Sequence, residues 1–167
     1  PAFVKTLSLR MDWDFPSADI CQSWGAALAQ TLRAPAVIYL EGDLGVGKTT
    51  LAQGILRALG VTQSVKSPTY TLLETYETKS GLAHHLDLYR LNDPEELEFI
   101  GIRDYLATPA LWLIEWPERG KGHLPGADLK LHLHIQADAR HHLSATAQHV
   151  RAEAWVQALP VDLASIT

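Results

Sequence analysis

The stretch that decides the fold reads Ala36-Val37-Ile38-Tyr39-Leu40-Glu41-Gly42-Asp43-Leu44-Gly45-Val46-Gly47-Lys48-Thr49-Thr50. Its first five residues are hydrophobic without alternation, which predicts a strand, Ala36–Leu40, that is buried on both faces of a parallel sheet. An amphipathic helix is predicted to start at the end of this stretch and to run to about Leu59. Gly60 then fits the C′ position that ends a helix. A buried strand, a glycine-rich loop and a helix therefore follow one another directly.

The loop matches the pattern Gly-x-x-x-x-Gly-Lys-Ser/Thr at every fixed position. Glycines let the backbone turn its N–H groups towards phosphate oxygens, and the helix N-terminus adds a partial positive charge. Lys48 supplies a cation for the β- and γ-phosphates, Thr49 offers a hydroxyl to Mg²⁺, and Thr50 lies within reach of the α-phosphate. The predicted nucleotide-binding residues are Gly42, Asp43, Leu44, Gly45, Val46, Gly47, Lys48, Thr49 and Thr50. An Asn-Lys-x-Asp element for guanine is absent, which favours ATP over GTP.

A magnesium ion at such a loop needs a second acidic group, at the end of a neighbouring buried strand. Glu115 follows the hydrophobic run Leu111–Ile114, and Asp87 lies within the segment Leu86–Arg90. Each also has an ordinary structural interpretation, since Glu115 could be a solvated strand end and Asp87 could pair with a cation such as Arg90. The residues alone leave these alternatives open.

The other predicted elements surround this unit. They are an ambiguous edge strand Phe3–Leu9, a helix from Ala18 to about Leu32 capped by Ser17, strands Thr69–Glu77 and Leu82–Tyr89, a short helix capped by Asp93 and interrupted at Gly101, strands Leu129–Ile135 and His142–Ala147, and a closing helix Arg151–Leu159. Leu129–Ile135 alternates apolar and polar residues, as expected of a one-sided antiparallel strand. We therefore expect an α/β fold: a single P-loop domain over residues 1–167, whose mixed sheet has a parallel centre, antiparallel flanking strands and helices on both faces.

Composition excludes several classes of protein. The chain has 167 residues, which favours one domain, and 14 basic against 19 acidic residues give a net charge of −5. This charge argues against a broad nucleic-acid coat or a binder of anionic membranes. The single cysteine, Cys21, excludes an intramolecular disulfide and cysteine-rich zinc sites. Without a long apolar run or a signal pattern in the first thirty residues, we expect a cytoplasmic protein with no membrane and no disulfide partner.

The eight histidines invite a metal-binding interpretation. His132 and His134 fall on one strand face, but no third ligand stands at a useful spacing, so a polar sheet face is the better interpretation. The adjacent histidines of the pairs His84-His85 and His141-His142 point to opposite faces of a strand, which is poor chelation geometry.

A series of motifs in order resembles one family. The motifs are Gly42 to Thr50, Lys66-Ser67-Pro68-Thr69-Tyr70-Thr71-Leu72, Asp87-Leu88-Tyr89-Arg90-Leu91, Asp93-Pro94-Glu95-Glu96-Leu97-Glu98, Gly101-Ile102-Arg103-Asp104-Tyr105 and Glu115-Trp116-Pro117. Together they resemble the TsaE (YjeE) family over roughly Ala36 to Gly126. The resemblance implies an ATPase of the bacterial pathway that forms threonylcarbamoyladenosine beside the anticodon of some tRNAs.

In that family the P-loop protein does not transfer the carbamoyl group. The resemblance implies that it binds the TsaB–TsaD pair, that its ATP cycle resets or drives that complex, and that its ATPase activity is weak until the partners are present. It would meet tRNA indirectly, through the complex.

The resemblance also implies roles for residues of this chain. Lys48, Asp87 and Glu115 would be catalytic, with Thr49 and Glu115 holding Mg²⁺ and Asp87 near the γ-phosphate and the partner. The segment with Ser67, Pro68, Thr69 and Thr71 is similar to a switch loop, in which a hydroxyl senses the γ-phosphate, and Trp116 matches an aromatic near the site. Ordinary packing is the alternative for Trp116. No Gln or His is evidently placed to orient the attacking water, which leaves any catalytic base open.

The adenine pocket is poorly specified by the sequence. By position, the segment Phe15–Ser17, which contains Pro16, and Arg140 in a later turn could approach the adenine or the ribose. An exposed turn residue is the alternative for Arg140.

Two other functions compete with the partner-activated ATPase. One is a stand-alone kinase of a small metabolite, but the eight arginines are scattered and form no evident lid over a phosphoryl group. The other is an ATP-dependent interaction module in which hydrolysis is incidental.

Overall fold

In the part of the chain that the structure describes, seven strands lie side by side in the order β1-β7-β6-β2-β5-β4-β3. A computed structural model describes residues 9–65, 68 and 70–159. In chain order the elements are β1 (Arg10–Phe15), α1 (Ala18–Thr31), β2 (Ala36–Glu41), α2 (Lys48–Ala58), β3 (Leu73–Thr78), β4 (Gly81–Asp87), α3 (Glu96–Phe99), α4 (Ile102–Leu106), β5 (Leu111–Glu115), a 3₁₀ turn (Pro117–Gly120), β6 (Leu129–Ile135), β7 (His141–Ala147) and α5 (Val150–Gln157).

The centre of the sheet is parallel, as predicted. Strand β2 pairs in parallel with β5 and β6, and β5 pairs in parallel with β4. The flanking pairs β3–β4, β6–β7 and β1–β7 are antiparallel. The predicted α/β class with a mixed sheet is therefore confirmed. The alternation in β6 predicted an antiparallel strand, and β6 does pair antiparallel with β7. It also pairs in parallel with β2, which the alternation did not indicate.

Helices cover both faces of the sheet. Ile38 and Leu40 of β2 pack into a core shared with α1, α2 and α5, whereas Val37 packs into a second core with α3 and α4. Because successive side chains of a strand point to opposite faces, an unbroken hydrophobic run fills both cores. Among the described residues, no helix is long and apolar enough to cross a membrane.

The edge strand β1 was not predicted. The predicted strand Phe3–Leu9 lies outside the described residues except for Leu9. In β1, Trp13 and Phe15 are buried while the intervening acidic residues point outward. These acids are compensated by β7, since a hydrogen bond from Ser144 is the main cause that lowers the pKa of Asp12 to about 2.

The strands around the predicted switch segment are shorter than predicted. Strand β3 begins at Leu73 rather than Thr69, because the Leu72 N–H donates to the Pro68 carbonyl at 2.8 Å and turns the chain. Strand β4 ends at Asp87 rather than Tyr89, because the Tyr89 N–H donates to the Asp87 carboxylate and the Leu91 N–H donates to the Leu88 carbonyl, and these bonds turn the chain.

The acidic segment after β4 makes the predicted hydrogen bonds around Asp93, but its helix is short and has Glu95 rather than Asp93 as its N-cap. The hydrogen bonds resemble those of a capping box. Glu96 Oε2 accepts the Asp93 N–H at 3.1 Å, and Asp93 Oδ1 accepts the Glu95 N–H at 3.0 Å. The helix itself begins at Glu96, because residues 93–95 form a turn. Gly101, at φ +77°, then separates α3 from α4, as predicted. The closing helix α5 spans Val150–Gln157 rather than Arg151–Leu159.

Candidate nucleotide-binding site

Three parallel strands end at one edge of the sheet, and this brings the predicted groups together. The glycine-rich loop follows β2, Asp87 ends β4 and Glu115 ends β5. The register pairs Glu115 with Leu40 on one side and with Asp87 on the other. Both acids therefore lie beside the loop, where ligands of open α/β sheets bind.

The loop adopts a backbone that only glycine takes without strain at several positions. Gly42, Gly45 and Gly47 have φ values of +138°, +82° and +102°. A Cβ atom at Gly45 or Gly47 would meet nothing within 4 Å, so the positive φ alone requires glycine there. This curled, loosely packed backbone fits a loop whose N–H groups face a phosphate rather than protein atoms.

Gly42 carries a further constraint that yields a prediction. A Cβ atom there would collide with the Leu133 carbonyl oxygen of β6 and would lie 2.9 Å from Val46 Cγ2. We expect Gly42→Ala to lower the free energy of unfolding by about 2–4 kcal/mol, as measured by urea denaturation. The alanine would be strained by the positive φ, and its Cβ atom would also overpack against β6. Gly122, at φ +90° with open space around its Cβ position, is the matched control. A Gly42→Ala loss no larger than that of Gly122→Ala would show that the close approach to β6 is unimportant.

Lys48 is folded back onto its own loop. The side chain is buried, and its Nζ donates hydrogen bonds to the carbonyls of Gly42 and Asp43, the second at 2.9 Å. Its Nζ also lies 4.0 Å from the centroid of the Trp116 ring, in a cation–π contact. Burial lowers the pKa of Lys48, while the negative charges of Glu115 and Asp87 act in the opposite direction. The ammonium group is thus held at the loop by neutral partners, which phosphate oxygens can replace.

Glu115 connects the loop to the core of the sheet. The residue is 2% exposed, and its carboxylate accepts from the Thr49 hydroxyl at 2.8 Å and from His85 Nε2 at 2.7 Å. An ionised carboxylate is stable at such depth only when donors surround it. His85 is fully buried, and its Nδ1 has no hydrogen-bond partner among the described residues, so the neutral tautomer with a proton on Nε2 fits best.

Thr49 and Glu115 suit a magnesium ion that is bound together with a phosphate. Both offer hard oxygen ligands, and their oxygen atoms are already adjacent. Within the described part of the chain, no group of three His, Cys, Asp or Glu side chains is arranged to hold a metal ion by itself. Mg²⁺ commonly uses one or two protein oxygens together with water and substrate phosphates. The donor set therefore fits that mode of binding.

A cavity of about 440 Å³ opens above these groups. This volume is in the range of ligand pockets. Its lining residues are Leu44, Gly45, Gly47, Lys48, Thr49, Thr50, Asp87, Tyr89, Arg90, Glu115 and Trp116. Asp87 Oδ1 accepts the Tyr89 N–H at 3.0 Å, which holds the segment after β4 against the pocket. Loop, acids and Trp116 are thus brought to one cavity.

Other predicted residues lie elsewhere. Ser67 and Thr69 lie outside the described residues. Thr71 is exposed, donates its hydroxyl to Glu74 at 3.0 Å and does not line the cavity. Pro16 and Arg140 are exposed at the same sheet edge as the loop. They line neither this cavity nor the narrow groove between the start of α1, the loop and His141.

The sequence alone assigned no role in nucleotide binding to four residues at this edge, namely His85, Tyr89, Arg90 and His141. His85 had a readable signal, because it stands two residues before Asp87 in a strand and so shares its face. Tyr89 and Arg90 lie after the strand, where the turn rather than any periodicity aims them at the cavity.

Comparisons with known proteins agree on one family. The family model described as "Threonylcarbamoyl adenosine biosynthesis protein TsaE" matches residues 15–143, which contain the loop, Asp87 and Glu115. A Haemophilus influenzae protein is 55% identical over 104 residues, which cover 62% of this chain and 66%, just under two thirds, of that protein. A Rickettsia bellii protein is 36% identical over 134 residues, covering 80% and 92% of the two chains. Both are described as "tRNA threonylcarbamoyladenosine biosynthesis protein TsaE". The crystal structure of Bacillus subtilis YdiB superposes with a TM-score of 0.74 at 25% identity, covering 92% of this chain and 95% of YdiB.

Proposed function

This chain belongs to the TsaE family, and on that premise we propose that it is a slow, partner-activated ATPase that supports formation of threonylcarbamoyladenosine in tRNA. The observation that carries the proposal is the 2.8 Å hydrogen bond between the Thr49 hydroxyl and the buried Glu115 carboxylate. It joins a phosphate-binding loop to an acid on the neighbouring strand, which is the arrangement that Mg·ATP requires.

Different residues of the cavity would bind different parts of Mg·ATP. The loop from Gly42 to Thr50 would hold the phosphates through backbone N–H groups and Lys48. Thr49 and Glu115 would hold Mg²⁺, which when bound neutralises charge between the β- and γ-phosphates. Asp87, at the end of β4 beside Glu115, would face the γ-phosphate. Trp116 would cover the loop lysine, which it already contacts.

Slow hydrolysis in isolation is consistent with the cavity lining. Among the described residues that line it there is no Gln or His that could orient an attacking water, as a Gln does in several P-loop hydrolases. A partner that completes or reshapes this cavity would raise the rate. We propose TsaD and TsaB as these partners, with the protein acting in the cytoplasm and meeting tRNA through them. The net charge of −5 suits a subunit that leaves tRNA contact to others.

The remaining residues of the sequence prediction stay proposals. Ser67, Thr69 and Thr71 would belong to the loop that senses the γ-phosphate, and Pro16 and Arg140 would approach the adenine or ribose. The narrow groove lined by Cys21, Gln22 and His141 lies beside the loop and offers the base a neighbouring surface.

Reconstitution tests this function. TsaB, TsaD, threonylcarbamoyl-AMP and tRNA are mixed with ATP, with and without the protein, and threonylcarbamoyladenosine is counted per TsaD. We expect many modifications per TsaD with the protein and a stop near one without it. Equal repeated turnover in its absence would refute the role. ATP consumption that instead required a small hydroxyl compound would support the metabolite kinase.

A further inference from the structure

Among the described residues, two cationic side chains line the cavity, and one of these two belongs to the loop motif. Lys48 comes from the loop, and Arg90 comes from the segment after β4. Four carboxylates act electrostatically on Lys48, those of Glu115, Asp87, Glu118 and Asp43. A nucleotide adds several negative charges to this already acidic surrounding. Apart from Lys48 and the proposed Mg²⁺, Arg90 is the positive charge that the described cavity lining offers to a bound triphosphate.

The backbone of Arg90 is fixed beside the acid pair. Leu88 and Leu91, on either side, are buried in the core that lies under α3. The Leu88 N–H donates to the Glu115 carbonyl at 3.1 Å, and the Leu91 N–H donates to the Leu88 carbonyl at 3.0 Å. This turn fixes the root of Arg90 three residues after Asp87 and leaves its exposed side chain to extend along the cavity wall.

The guanidinium group of Arg90 rests on an exposed tyrosine. Its Cζ atom lies 4.5 Å from the centroid of the Tyr70 ring, and Tyr70 is 83% exposed. A cation–π contact at an exposed ring is weak compared with a charge-assisted hydrogen bond to phosphate in a pocket. Moving the Arg90 side chain from Tyr70 to a bound triphosphate would therefore cost little free energy, because only this weak cation–π contact would be lost.

We propose that Arg90 is a catalytic residue that donates N–H groups to the γ-phosphoryl oxygens during hydrolysis, which rests on the proposed ATPase function. In this step a water oxygen bonds to the γ-phosphorus, and the bond from that phosphorus to the β–γ bridging oxygen breaks. The bridging oxygen leaves with ADP, the water oxygen leaves in inorganic phosphate, and the surplus proton passes to solvent. Arg90 keeps its proton throughout and stabilises the charge that spreads over the phosphoryl oxygens, as an arginine supplied in cis does.

A transition-state analogue tests this role without relying on turnover. Calorimetric titration with Mg²⁺ and ADP, and then with Mg²⁺, ADP and aluminium fluoride, gives two affinities for each variant. We expect Arg90→Ala to bind ADP within about threefold of wild type but to lose about 10- to 100-fold in affinity for the ADP–fluoroaluminate complex. Arg90→Lys keeps the charge but loses the planar guanidinium group, so its affinity for the ADP–fluoroaluminate complex should lie between those of wild type and Arg90→Ala.

Arg119→Ala is the matched control. It removes the same charge from a guanidinium that stacks on Tyr89 and Trp116, at 5.2 and 5.3 Å, without lining the cavity. We expect it to leave the ratio of the two affinities unchanged. Equal losses in both arginine variants, an unchanged ratio in Arg90→Ala, or a wild-type protein that binds ADP but gains nothing from aluminium fluoride would each overturn the proposal. A wild-type protein that binds no nucleotide would instead contradict the proposed ATPase function.

Discussion

Replacing Lys48 by alanine is expected to weaken the binding of both ATP and ADP at least about 100-fold. The Lys48 ammonium is the buried cation of the cavity, and its present partners are two loop carbonyls and the face of Trp116. Charge-assisted hydrogen bonds to phosphate are worth roughly 1.5–3 kcal/mol each, and a lysine that serves two phosphates makes at least two. Equilibrium titration followed by calorimetry measures the loss.

Two further variants separate charge from packing. Lys48→Met keeps an unbranched side chain in the buried position and should lose nearly as much affinity as Lys48→Ala, with less effect on thermal stability. Lys121→Ala removes an exposed lysine beyond the 3₁₀ turn and should bind nucleotide like wild type. Nucleotide affinity that survives in Lys48→Met would mean that the loop does not hold the phosphates.

Local sequence patterns predicted the centre of the fold well. The hydrophobic run of β2 fills both cores, and the alternation of β6 places its apolar residues on one face. Ser17 caps α1 through a hydrogen bond from the Ile20 N–H, as its position before the helix indicated. These features depend on neighbours within a few residues, so a single sequence contains them.

The missed features depend on residues distant in sequence. Strand β1 carries outward acids that disfavour a strand until Ser144 and His142 of β7 stand opposite them. The pairing of His85 with Glu115 joins residues of two strands whose alignment only the sheet register supplies. Arg90 reaches the cavity because a turn after β4 is tied to β5. No periodicity within one segment encodes such contacts.

The site was predicted in part for the same reason. The loop and Glu115 follow rules about strand ends, and both lie at the cavity. The adenine-side residues Pro16 and Arg140 were chosen by chain position alone, and neither lines the cavity or the groove beside it. A switch segment is harder still to place, since Ser67 and Thr69 lie outside the described residues.

Replacing Glu115 should separate nucleotide binding from its use. Glu115→Gln keeps the shape of the side chain, so its amide oxygen can still accept from His85 Nε2–H and its NH₂ group can donate to the Thr49 hydroxyl oxygen, but it removes the negative charge that would hold Mg²⁺. We expect ADP binding and assembly with TsaB and TsaD to persist within a few-fold. ATP hydrolysis and repeated formation of threonylcarbamoyladenosine should fall about 100-fold or more, because charge neutralisation at the metal is lost.

Glu115→Ala sharpens the comparison because it also leaves Thr49 and the fully buried His85 without their partner. An unsatisfied buried imidazole costs about 1–3 kcal/mol, so this variant should unfold at a lower temperature than Glu115→Gln. If both variants lose turnover while only Glu115→Ala loses stability, the defect comes from the missing charge rather than from the fold. Raising the Mg²⁺ concentration should then restore part of the activity of Glu115→Gln. Undiminished tRNA modification by a Glu115→Gln protein that no longer hydrolyses ATP would show that hydrolysis is incidental, and would favour an ATP-dependent interaction module over the ATPase proposed above.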